Sequence, residues 1–199
     1  MSRRPLASRD TNWARATARW LTTKNVTPNG ISIAAMGFAL IGGAAFWASS
    51  HWTWLAIIGA LMCQARLLCN LFDGMVAVEG GKGTKDGPFW NEAPDRVSDL
   101  LLIGGAGLGA GVPALGFAAA ALAVLTAYLR ELGRAEGLPP DFGGPMAKPQ
   151  RMAVLTLAGV VAVIWPPAVM WALWVIVLGA ALTIALRSGR MIRALKTLE

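Results

Sequence analysis

With 199 residues, 55% of them apolar and only 15% charged, and with nine Trp, the chain is too apolar for a soluble domain of its length. Its net charge of +7 speaks for membrane topology and anionic lipid. It does not speak for a nucleic-acid partner, because no basic face is interleaved with exposed aromatics.

The first 29 residues hold six Lys or Arg and no apolar core ahead of a cleavage-like site, so they read as a retained cytoplasmic lead (1–29) before a membrane domain (30–199). From Asp10 to Leu21, helical spacing puts Trp13, Ala16 and Trp20 on one side and Arg15 and Arg19 on another. That suits an amphipathic juxtamembrane helix on the anionic inner leaflet, with a disordered basic tail as the alternative. Asn25-Val26-Thr27 is a chance glycosylation match on the cytoplasmic side. Thr27-Pro28-Asn29 marks a turn, with Pro28 either starting a helix or meeting a ligand.

Six apolar spans follow, at 31–48, 52–76, 90–111, 114–134, 151–165 and 168–187, most close to the ~20 residues that cross a hydrocarbon core. The expected fold is all-α: a polytopic membrane protein of six transmembrane helices. The connectors around Ser49–His51, Gly111–Pro113 and Trp165–Pro167 carry no charge, whereas the 18 Lys and Arg lie in the tails, the other two loops and the adjoining helix ends. The positive-inside rule then places both termini and both charged loops in the cytoplasm, as in a multi-pass inner-membrane protein. Trp47, Trp52, Trp54, Trp165 and Trp171 form an outer aromatic belt. Cys63 and Cys69 lie on different faces of the second span and are expected to pack as free thiols. His51, the only histidine, lies at the outer side, away from every polar cluster.

The polar residues concentrate between Arg66 and Asp99. Arg66, Asn70 and Asp73 share one helix face, and Asn91, Asp95 and Asp99 share a face of the next. One charged side chain near a bilayer centre costs roughly 2.5–3.5 kcal/mol, so two such faces are expected to line a wet, protein-enclosed functional cavity. Between them, Glu79 to Gly87 contains Lys82 and Lys85 among glycines. This loop either wraps a diphosphate or is a flexible connector with solvated lysines. The glycines from Gly104 to Gly111 are spaced for close helix packing or dimerisation. Arg130 and Arg134 close the fourth span, Lys148 and Arg151 open the fifth and Arg187 closes the sixth. These cations either anchor the helices or bind an anionic group. Arg190, Arg193 and Lys196 read as anchors.

These residues resemble the CDP-alcohol phosphatidyltransferases, whose motif D-x2-D-G-x2-A-R-x8-G-x3-D-x3-D spans the second and third of six membrane helices. The same spacing here reads Asn70-x2-Asp73-Gly74-x2-Ala77-Val78-x8-Gly87-x3-Asn91-x3-Asp95. Ala127-Tyr128-Leu129-Arg130 at the end of the fourth span and the Thr-Pro-Asn turn extend the likeness. Asparagines replace the first and third aspartates, and Val78 replaces the arginine. The resemblance implies transfer from a CDP-activated lipid or alcohol to a hydroxyl acceptor, with CMP released, in phospholipid synthesis by a homodimer.

By the same resemblance, Asn70, Asp73, Asn91 and Asp95 would hold a divalent metal, Mg²⁺ or Mn²⁺. Asp95 would also be the catalytic base. Gly74, Ala77 and Gly87, with Lys82 and Lys85, would bind the nucleotide diphosphate. Arg130, Arg134, Lys148, Arg151 and Arg187 would bind the acceptor, which in some family members is phosphorylated. Two carboxylates in place of four lower the charge available to metal unless Asp99 or Glu92 compensates. A homologue without catalysis that binds CDP-lipid or a membrane partner is the competing reading.

Overall fold

The computed structural model describes residues 10–197, so the first nine residues of the expected lead lie outside it. Those described form seven α-helices: α1 (Asn12–Thr23), α2 (Pro28–Ala48), α3 (Leu55–Val78), α4 (Gly87–Gly109), α5 (Pro113–Ala135), α6 (Lys148–Val161) and α7 (Ala168–Leu195). Neighbouring helices follow a closed circuit, α3–α2–α4–α5–α7–α6 and back to α3, with α1 outside against α3. Phe46, Leu102, Met152, Leu155, Leu173 and Ile176 fill the shared core.

Four helices, α2, α3, α5 and α7, are long and apolar enough to cross a membrane, which makes the chain a polytopic membrane protein. The other two expected spans differ in kind. The first half of α4 carries the polar residues, and α6 has 14 residues, about 21 Å at 1.5 Å per residue against a core of ~30 Å. The expected span 151–165 stops at Val161 because Pro166 and Pro167 follow, and the residue before a proline is driven out of helical geometry. Each of α2, α4, α5 and α6 instead opens on a proline in its first turn, where no helical hydrogen bond is lost. Thr27 caps α2 by accepting from the Gly30 amide at 3.1 Å.

α1 docks through Ala14 and Ala18, which bury against Leu71 and Met75. Trp13 meets the Phe72 ring edge-on at 6.0 Å. Trp13 and Trp20 remain 51% and 56% exposed, which leaves the aromatic side of the helix free for lipid. Asn25 ends α1 with φ at 56°, a left-handed conformation that asparagine tolerates, so the sequon match has a structural origin. At the opposite end of the bundle Trp47, Trp52, Trp54, Trp165 and Trp171 are 49–60% exposed, outside the core. Both cysteines are free, as expected.

The glycine stripe is used inside the chain. A Cβ on Gly105 would fall on the Gly43 backbone of α2, and one on Gly107 on the Gly116 backbone of α5. Backbone cannot move aside as a side chain can. Gly105→Val is therefore expected to cost about 1–3 kcal/mol or more, read as a lower unfolding midpoint in detergent. Gly37→Ala, which enters open space, should leave the midpoint unchanged.

Candidate functional site

Where the C-terminal half of α3 meets the first half of α4, a cavity of about 670 Å³ opens at the charged end of the bundle. The α3–α4 connection makes this end polar. Asp86 accepts from Trp90 Nε1 at 2.9 Å and from Asn29 Nδ2 at 3.3 Å, tying the start of α4 to the start of α2. A hydrogen bond from the Thr84 side chain, the local backbone, Trp90 and Asn29 hold the Asp86 carboxyl below its ordinary value. Its folded pKa being depressed, this tie is complete above the usual carboxylate range and is lost as pH falls through the lowered value.

Most expected site residues come together here. Asn70, Asp73, Gly74, Ala77, Gly87, Asn91 and Asp95 all line the cavity, as do Arg130, Arg134, Lys148, Arg151 and Arg187. Lys82 and Lys85 are not among its lining residues. Lys82 instead donates to Thr22 O at 2.9 Å and Asn25 Oδ1 at 3.4 Å, fastening the loop to the end of α1. Gly83 and Thr84 are the loop residues that reach the cavity wall. Val78, where the motif has arginine, lines the cavity as a 57% exposed apolar side chain.

The buried charges form one connected network. Arg66, 0% exposed, lies in the middle of α3 rather than at a helix end. Its NH2 donates to Asp95 O at 3.0 Å and Asp95 Oδ1 at 3.3 Å. Its NH1 lies 2.9 Å from Asp99 Oδ1, a charge contact without hydrogen-bond alignment. Arg151 NH2 donates to Asp99 Oδ2 at 3.0 Å, and its NH1 to Met146 O and Thr126 Oγ1. Asn70 Nδ2 donates to Asp95 Oδ1 at 2.9 Å; an ionised carboxylate only accepts, so the asparagine must present its NH₂ group. Lys148 Nζ donates to Asp95 Oδ2, with Arg96 3.7 Å from the same oxygen. Asp73 stands apart, accepting from Ser32 Oγ of α2 at 3.0 Å.

The second cationic group is largely neutralised within the protein. Arg130 NH2 lies 2.5 Å from Glu92 Oε2 and its Nε 2.8 Å from Glu131 Oε1, while Arg134 reaches Glu131 at 2.7 Å. Arg187 holds the Gly143 and Thr126 carbonyl oxygens. Fork-shaped donors suit such bridging, and they tie α5, α7 and the loop after α5 around the cavity.

A pair of divalent ions needs more anionic oxygen than this arrangement offers. Among the described residues no three His, Cys, Asp or Glu side chains gather as a cation-binding group. Both Asp95 oxygens already accept from Arg66, Asn70 and Lys148. Asn91 is exposed and donates to Glu92 Oε1 at 3.1 Å. Glu92 is matched by Arg130 and Arg96, and Asp99 by Arg66 and Arg151, so neither compensates for the missing aspartates. The donor set does not fit a pre-bound two-ion clamp.

Spacing located the motif face but not its partners. Ser32 is a lone hydroxyl in an apolar run, and the contacts of Lys148 with Asp95 and of Arg130 with Glu92 join residues 53 and 38 positions apart. No local pattern announces such pairs.

No family model matches the chain. It is 28% identical over 200 residues to phosphatidylinositol phosphate synthase of Mycobacterium marinum, covering 92% of this chain and 82% of that protein. It is 28% identical to the Corynebacterium glutamicum enzyme of the same name, covering 85% and 80%. The inner membrane protein YnbA of Escherichia coli is 27% identical over 166 residues, 79% of this chain and 78% of that one. Mycobacterium tuberculosis phosphatidylinositol phosphate synthase, solved with manganese and citrate, superposes with a TM-score of 0.77 at 21% identity over 89% of this chain and 88% of that one. The same enzyme with CDP-DAG bound gives 0.76, covering 89% and 92%. At that identity the structures show a shared fold. By sequence the chain is a homologue, over most of its length, of the phosphatidylinositol phosphate synthases of the CDP-alcohol phosphatidyltransferase family.

Proposed function

We propose that the chain transfers a phosphatidyl or phospho-alcohol group from a CDP-activated lipid or alcohol to a hydroxyl acceptor, releasing CMP. One observation carries this reading: Asp73 of α3 and Asp95 of α4, at the spacing of the family motif, face one cavity ringed by cations. In the transfer, the acceptor oxygen forms a bond to the donor-side phosphorus. The bond from that phosphorus to the bridging oxygen breaks, CMP leaves with the electron pair, and the hydroxyl proton passes to a carboxylate. Asp95 is that base by the motif, and its Oδ2 accepts the proton once Lys148 turns away. Asp73 lines the cavity outside the ion pairs found among the described residues, buried at 7% exposure and accepting from Ser32 Oγ.

The cations serve an anionic acceptor. Arg130, Arg134 and Arg187 line the α5–α7 side, where a phosphate can displace Glu131 or bridge guanidinium groups. Arg151, 2% exposed and committed to Asp99, is a positioning residue for the cavity wall. Purified protein incubated with CDP-diacylglycerol and a panel of hydroxyl acceptors, free and phosphorylated, should release CMP with one of them. Asp73→Ala should release none. Binding of CDP-lipid without CMP release from any acceptor would select the second reading, a homologue without catalysis, which the two asparagines favour.

In the membrane, α4 and α6 together with the turn that follows α6 complete six crossings beside the four long apolar helices, with the charged end cytoplasmic. A homodimer would use faces other than the glycine stripe. In a background lacking Cys63 and Cys69, single cysteines at Ser50 and Thr84 should label from opposite sides with an impermeant reagent. Same-side labelling would sink this topology.

A further inference from the structure

The charges that surround the diphosphate-binding position balance without any ion from solution. Arg66, Arg96, Lys148 and Arg151 carry four positive charges against Asp73, Glu92, Asp95 and Asp99. Aspartates at 70 and 91 would have left this cluster with two excess negative charges, the deficit that divalent ions fill. With asparagines there is no deficit.

Of these cations, Arg96 and Lys148 keep partly exposed side chains on the cavity wall, and Arg96 is shared with Glu92. Arg66 and Arg151 side chains are 0% and 2% exposed, and their terminal NH1 and NH2 groups are directed at Asp95, Asp99, Thr126 and Met146. The Lys148 side chain is 25% exposed on the cavity wall, and it is the single lysine among the lining residues. An ammonium has three N–H donors, and its one hydrogen bond, to Asp95 Oδ2, leaves two. It is a compact point charge on a flexible stem, closer to a metal ion in shape than any guanidinium is.

Resting on the reading that the ligand is CDP-linked, we propose that the Lys148 ammonium takes the place of a divalent cation, so that the cavity binds the diphosphate of a cytidine-diphosphate ligand without metal. Lys148 is thus a donor-site residue rather than an acceptor-site one. As it turns from Asp95 to the diphosphate, Asp95 remains held by Arg66 and Asn70 through Oδ1, with Arg96 still 3.7 Å from Oδ2.

The test is CDP binding to the full-length protein in detergent micelles, measured calorimetrically in EDTA and again in Mg²⁺ or Mn²⁺. Wild type is expected to bind in EDTA, with affinity changed by less than about threefold by the metal, under 1 kcal/mol. Lys148→Met should weaken binding in EDTA by roughly tenfold to a hundredfold, the loss of one charge-assisted contact. Should that variant not fold, wild type answers alone: CDP in EDTA should protect Lys148 from reductive methylation, located by mass spectrometry. Binding by wild type only with metal overturns this inference and leaves the CDP reading standing. No CDP binding under either condition overturns both. Equal binding by Lys148→Met, or no protection of Lys148, removes the lysine from the role.

Discussion

Replacing Asp99 by alanine is expected to lower the stability of the folded protein by about 3–5 kcal/mol, the cost of leaving buried charge without its partner. Asp99 is 0% exposed and sits between Arg66 and Arg151, themselves 0% and 2% exposed. Neither guanidinium can reach water when the carboxylate is removed, and neither can lose its proton at ordinary pH. Arg66 retains Asp95, but Arg151 keeps only the neutral Thr126 hydroxyl and Met146 carbonyl. The change should appear as a large fall in the unfolding midpoint in detergent. Asp141→Asn is the control: its pair with Arg190, 2.7 Å apart, lies at 34% and 42% side-chain exposure, and the amide oxygen can still accept from Gly143 N, so loss of the charge should cost no more than about 1 kcal/mol.

The second large effect is expected from Asn70→Asp. Asn70 Nδ2 lies 2.9 Å from Asp95 Oδ1, so the substitution sets two carboxylates at hydrogen-bond distance. Two ionised carboxylates this close require a proton or a cation between them. The variant should therefore melt below wild type in EDTA and recover with Mn²⁺ or Mg²⁺. A ligand at a hundredfold its Kd adds about 2.7 kcal/mol. Wild type should melt at the same temperature with and without the ion, since its donor set holds no pre-bound pair. Asn91→Asp, on an exposed residue bonded to Glu92, should do less alone and deepen the metal response when combined. A wild type that melts higher with metal, and a variant that does not, would show that position 70 faces elsewhere.

The long apolar helices are legible because membrane spans announce themselves in composition, and a helical repeat puts Asn70 with Asp73 and Asn91 with Asp95 on the faces that line the cavity. What a linear pattern does not carry is pairing across helices. Glu92 and Asp99 read as candidates to make up the missing charge, yet Arg130 and Arg151 meet them from α5 and α6. The resemblance implies an acceptor role for Lys148, which opens a helix, and the packing of α6 beside α3 brings it to Asp95, a contact no local pattern shows. The loop lysines show the same limit. A glycine-rich stretch with cations looks like a phosphate cradle until the end of α1 claims Lys82. Helix ends depended on single residues, with prolines 166 and 167 cutting α6 short and Asp86 with Pro88 starting α4 early.

On the proposed function, this cavity holds a CDP-activated donor between α3 and α4. A structure determined with CDP-diacylglycerol bound tests it most directly. It should show the diphosphate within hydrogen-bond reach of Lys148 Nζ, the nucleotide beside Gly74, Ala77 and Gly87, and the acyl chains leaving toward lipid. Density for the nucleotide elsewhere on the protein, with this cavity empty under saturating ligand, would rule that function out.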